Sequence, residues 1–159
     1  MIRRNVVGVH DPMPIKENQF TINKKSLVSK VKVGKNLKES VKKSIDLIGG
    51  IKRVIYKGDS VLIKPNYVFP VDYPCCTSYD FLEAVIELVK EAGAFSVTVG
   101  ECSFFTHRAK GIMEKLAAKK VCDRQGVSII DFADSEWLDV RVNDKMIAFP
   151  KSVFEFDKI

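Results

Sequence analysis

The strongest constraint in this sequence is an alternation of two hydrophobic periods that begins at residue 60. Ser60-Val61-Leu62-Ile63 is a short apolar run directly after the Gly58-Asp59 turn signal. A continuous run of that length suits a strand buried on both faces. Pro65 stops it, because proline has no N–H to carry a ladder onward. After a loop over residues 67–76, Phe81, Leu82, Val85, Ile86, Leu88 and Val89 recur at helical spacing, with Thr77 or Ser78 as the cap and Glu91-Ala92-Gly93 as the close. Residues 95–99 read as the next strand, 109–124 as a helix with Ile112, Met113, Leu116 and Ala117 inward, and 127–130 as a third strand. Strand, helix, strand, helix, strand is the order that right-handed crossovers turn into a mainly parallel sheet. The expected class is therefore α/β, a mainly parallel sheet with flanking helices in three layers. A C-terminal β-hairpin is expected where Trp137–Val142 and residues 146–149 meet at Asn143-Asp144.

The first third is less regular. Residues 5–9 read as a short strand. Residues 10–35 show no clean period, and 20–22 and 27–33 suit either a strand or an extended arm. Leu37, Val41, Ile45 and Ile48 then recur at helical spacing, so 36–48 is an amphipathic helix capped by Asn36 and ended by Gly49-Gly50. The chain has 159 residues, enough for one domain, and no linker splits it.

Charge and cysteine content narrow the function classes. The net charge is +6, but residues 1–60 carry +9 and residues 61–159 carry −3. Much of the excess lies in residues 23–43, where lysines alternate with Val, Leu and Ser. Arginine is scarce there and aromatics are absent, so base stacking and bidentate readout are poorly served and nucleic acid is disfavoured as a partner. No apolar run approaches the length of a membrane span, and the start is too short in apolar residues for a signal peptide, so a cytoplasmic location and no membrane partner are expected. Cys75, Cys76, Cys102 and Cys122 form no Cys-x-x-Cys pair and read as small, partly buried apolar residues rather than a disulfide framework.

In open parallel sheets ligands sit outside the carboxyl ends of the strands. The loop at 64–77 offers Lys64, Asn66 and then Thr77 and Ser78 at a helix start, where free N–H groups favour an anion. Lys64, Asn66 and that helix start would make an anion or carbonyl clamp. The plainer reading has Lys64 reaching water and Asn66 capping a turn. The loop at 100–108 offers Glu101, Cys102, Thr106, His107 and Arg108. Glu101 suits a general base, or else a carboxylate paired with Lys64 across the sheet edge. His107 suits a proton shuttle or a simply solvated ring. Residues 131–136 form a third loop of the same kind. A cysteine of the first loop with Cys102 and His107 offers metal-ligating types, but their spacing demands no metal, and none is assigned. The glycine-rich nucleotide loops and the G-x-S-x-G nucleophile elbow are missing.

Ile48-Gly49-Gly50, Gly58-Asp59-Ser60-Val61-Leu62-Ile63-Lys64-Pro65-Asn66, Glu91-Ala92-Gly93-Ala94 and Val97-Thr98-Val99-Gly100-Glu101 together resemble the domain of unknown function 362 family. The resemblance runs over residues 36–157, and Thr77 fits the family's threonine at the helix start. Family members are typically about twice this long, and the resemblance implies that residues 1–159 are a single α/β domain equivalent to the N-terminal half of the family domain. Many relatives carry ferredoxin-like segments for four-iron four-sulfur clusters. That implies redox association and a ferredoxin-like partner. The four cysteines here lack cluster spacing, so the cofactor stays unknown.

Two functional expectations follow. The first is an enzyme-like domain that binds a small anionic molecule at the strand ends, part of an iron–sulfur-associated redox enzyme by resemblance. Lys64 and Glu101 would be its catalytic pair, with Asn66, Thr77, Ser78, His107 and Arg108 around the ligand. The second is a non-catalytic binding or assembly module, a homo-oligomer formed through an exposed sheet edge.

Overall fold

A computed structural model describes residues 5–11, 17–102 and 107–159. In chain order the elements are β1 (Val6–His10), β2 (Thr21–Ile22), β3 (Lys25–Ser26), α1 (Leu37–Asp46), β4 (Ser60–Ile63), α2 (Tyr79–Glu91), β5 (Ser96–Glu101), α3 (Ala109–Lys115), α4 (Ala118–Arg124), β6 (Ser128–Asp131), β7 (Trp137–Val142) and β8 (Lys145–Pro150). Short 3-10 turns at Ile51–Arg53, Phe132–Asp134 and Lys151–Glu155 connect them. The expected α/β architecture is present, with a parallel sheet, four helices among the described residues and a C-terminal hairpin.

The parallel sheet has the order β4-β5-β6, with both neighbours in parallel register. Side chains alternate across a strand. Val61, Val97 and Val99 therefore share one face, where they pack with Leu82, Ile86 and Val89 of α2 and with Met113, Val121 and Cys122 of α3 and α4. Burial pushes the Cys122 thiol up to about 11, which marks this cysteine as an inert core group. Leu62, Gly100 and Phe132 meet on the other face. A Cβ on Gly100 would lie 2.7 Å from the Phe132 ring and 2.9 Å from Leu62, so only glycine lets the ring close over the strand.

Local chemistry explains most of the element ends. The Asn36 side chain accepts the Glu39 N–H and caps α1 as expected, and Ser78 takes the cap position of α2. Gly93 ends α2 with a φ of 106°, and a side chain there would crowd the Lys57 backbone at 3.3 Å. α1 lies against α2, where Lys38 pairs with Glu87 and Glu91.

The structure corrects the single helix expected over residues 109–124. The chain breaks at Ala117, which takes a left-handed φ of 59° between α3 and α4. The reason is geometric. Ala109, Ile112 and Met113 are buried, and so are Ala118, Val121 and Cys122. On one straight helix these two groups would point roughly 180° apart, given 3.6 residues per turn. The break turns the second group back onto the core.

The strands also divide more than the sequence pattern indicates. β1 pairs in parallel with β7, which pairs antiparallel with β8, in a second sheet of order β1-β7-β8. β2 and β3 form a small hairpin turned at Asn23 and Lys24, and residues 27–33 run as an extended arm outside any strand. The C-terminal residues return to β4. Ser60 donates its N–H and hydroxyl to Asp157 Oδ2 at 2.8 and 2.7 Å, and the Leu62 N–H reaches Lys158 O at 2.9 Å.

Candidate functional site

The carboxyl ends of β4, β5 and β6 bring together residues from three loops. Glu101 ends β5 and Asp131 ends β6, and the two are register partners, so their side chains leave the sheet on one face about 5 Å apart. Both are buried, with side chains 3% and 0% exposed. A buried carboxylate must be paired and hydrogen-bonded to be tolerated, and each of these is.

Glu101 Oε1 lies 2.8 Å from Lys64 Nζ and accepts the Cys102 N–H at 2.7 Å, while Oε2 accepts the Tyr67 N–H at 3.1 Å. Both oxygens are engaged. Glu101 therefore fixes the direction of Lys64, whose side chain is half exposed at 50%. Asp131 Oδ1 accepts the Ala133 N–H at 3.0 Å, and Oδ2 lies 3.4 Å from Arg108 Nε. Arg108 also pairs with Asp134, and that hydrogen bond holds the guanidinium above its usual range. Its side chain is likewise half exposed. Two cations are thus held at the strand ends by two buried carboxylates on adjacent strands.

The first loop is built by Asn66 and Thr77. The Asn66 N–H bonds Thr77 Oγ1, the Thr77 N–H bonds Asn66 O, and the Asn66 amide donates to Cys75 O, all at 3.0 Å. These two residues staple the two ends of the loop together behind Lys64. Ser78 starts α2, and its hydroxyl makes no capping hydrogen bond. His107 is exposed and meets Phe69 edge-on, with ring centroids 6.3 Å apart. Thr106 lies outside the described residues. Tyr67 runs under the site into the core; its hydroxyl is buried, and burial pushes the phenol up.

Lys64, Glu101 and Arg108 from the sequence reading converge here, with Asn66 and Thr77 behind them. Asp131 and Asp134 are the residues that reading did not single out. The signal for Asp131 was its place directly after a strand, the same place that marked Glu101.

Of the cysteines, Cys76 is buried and donates to Phe69 O, Cys75 is exposed and Cys122 lies inside the helix core. Among the described residues no three His, Cys, Asp or Glu side chains stand together as metal ligands.

A parallel sheet with paired charges at its carboxyl ends defines the class as an α/β domain with its candidate site at the strand ends. Residues 61–159 match the model of the DUF362 family, described as a domain of unknown function, and the chain belongs to that family. The match covers the C-terminal part of the chain rather than its N-terminal half. The resemblance read from residue 36 is therefore shortened to begin at Val61. No curated protein and no solved structure matches the chain. No helix among the described residues is long and apolar enough to cross a membrane.

Proposed function

We propose that the strand ends of this domain bind a small anionic molecule, with Lys64 and Arg108 as the two cations that meet it. The observation that carries this reading is the arrangement of those cations. Each is half exposed, and each is aimed by a buried carboxylate, Glu101 or Asp131, on adjacent parallel strands. A surface lysine or arginine loses several rotatable bonds of freedom when it binds. Holding the cation beforehand removes part of that cost from ligand binding. Ser78 at the start of α2 and His107 beside Phe69 stand at the rim and would contribute polar contacts. In this reading Glu101 is a positioning residue. A proton-accepting role would require Lys64 to leave it during turnover. Redox association and a ferredoxin-like partner rest on the family resemblance alone.

The test is thermal stabilisation of the full chain by inorganic phosphate, pyrophosphate and malonate. At least one raises the melting temperature of the parent, and the rise disappears in Lys64→Ala and Arg108→Ala. Equal stabilisation of parent and variants, or none in the parent, overturns the clamp.

A second reading, an assembly module, is favoured by the outer edge of β1. That strand pairs only with β7 among the described residues, and Val7 and Val9 on it are exposed. Light scattering after size exclusion decides it, since a strictly monomeric chain at high concentration removes this reading.

A further inference from the structure

The arm that precedes α1 forms a surface the strand-end site does not use. Residues 24–35 contain five lysines and no acidic residue. Leu27, Ser29 and Val31 are partly covered, while Val28, Lys30 and Lys32 are exposed, so the extended arm has an inner and an outer side. Its inner side is fastened to α1. Ser29 Oγ and Ser44 Oγ are 2.7 Å apart, and the Gly34 N–H donates to Ser40 Oγ at 3.0 Å. Ser40 and Ser44 share one stripe of α1, and the helical repeat sets Lys43 and Leu47 directly beside it. Lys24, Lys25, Lys30, Lys32, Lys35 and Lys43 enter none of the ion pairs among the described residues.

The arm and the residues adjoining it also expose large aliphatic side chains. Val28 is 88% exposed, Val33 62%, Leu47 61% and Ile22 60%. Unpaired lysines interleaved with exposed aliphatics suit an anionic lipid surface, where ammonium groups meet headgroups and short apolar side chains enter the interface. Nucleic acid is served less well. The patch has no arginine for bidentate readout, and Phe20 beside it is covered by Arg53, whose guanidinium carbon sits 4.7 Å from the ring centroid.

We infer that the arm and the adjoining stripe of α1 form a peripheral docking face for an anionic bilayer. Charge complementarity selects the surface, and Val28 and Leu47 distinguish it from a simple polyanion site.

The experiment is co-sedimentation of the full chain with vesicles of phosphatidylcholine containing about one third phosphatidylglycerol, beside vesicles of phosphatidylcholine alone. The parent binds the anionic vesicles, does not bind the neutral ones, and is released by high salt. K30E/K32E lowers partitioning by at least about ten-fold, because each lysine near such a surface contributes roughly a five-fold factor. K110E/K119E, on α3 and α4, leaves partitioning near that of the parent. V28S/L47S weakens it several-fold at unchanged charge. Several results overturn the inference: no binding at low salt, equal binding by parent and K30E/K32E, no effect of V28S/L47S, or tighter binding of a short labelled oligonucleotide than of the vesicles.

Discussion

Replacing Glu101 by glutamine takes one acceptor from a buried carboxylate that serves three donors. Glutamine keeps one oxygen. If that oxygen faces Lys64 Nζ and the Cys102 N–H, the amide nitrogen must face the Tyr67 N–H, two donors against each other. The opposite orientation is worse, since it sets the amide against an ammonium and an N–H together. In the better orientation one buried N–H loses its acceptor, which costs about 1–3 kcal/mol. The loss of charge pairing with Lys64 adds little, because that ammonium is half exposed and screened by water. The urea midpoint should therefore fall by about 0.5–2 M at an unchanged slope. Hydrogen exchange gives the local readout. The Tyr67 amide should lose protection while amides in the middle of α2 keep that set by global stability. An unchanged midpoint with an unchanged Tyr67 amide would refute the assignment of Glu101 as the hub of the strand ends.

Three further outcomes follow from the same geometry. Gly100→Ala pushes a methyl into the Phe132 ring and Leu62, and should cost about 1–3 kcal/mol in chemical denaturation; Phe132→Leu should shrink that cost, and simple additivity of the two would count against the contact. Ala117→Gly relieves a left-handed alanine at the break between α3 and α4, so stability should rise by up to about 1 kcal/mol; a lower urea midpoint would contradict that. The backbone and hydroxyl of Ser60 hold the Asp157 carboxyl below its usual range. A lowered folded value means the contribution is present above the unfolded value of about 3.9 and is lost as pH falls through the folded one. Amide exchange at Ser60 and Leu62 should then accelerate in acid beyond its intrinsic pH trend, and constant protection would remove Asp157 as the latch.

What the sequence determined by itself is the part of the fold whose causes are local. The run at Val61-Leu62-Ile63 stopped by Pro65, the apolar stripe of α2 closed at Gly93, the Asn36 cap and the turn at Asn143-Asp144 each act within a few residues. Each stands in the structure close to where the pattern sets it. Lys64 and Glu101 were legible as strand-end residues for the same reason, and their pairing was one of two open readings. The break at Ala117 left a trace, because the apolar residues before and after it fall on opposite sides of one helix. Ala117 itself has no glycine or proline to mark it. Tertiary structure alone decided the rest. The pairing of Val6 with Trp137 joins distant parts of the chain into a second sheet, and no local period encodes a partner at that separation. Arg108 meets Asp131 only because β5 and β6 are neighbours in register. Side-chain type and spacing set which groups leave each strand end. Only the packing of the strands decides which charge each one meets.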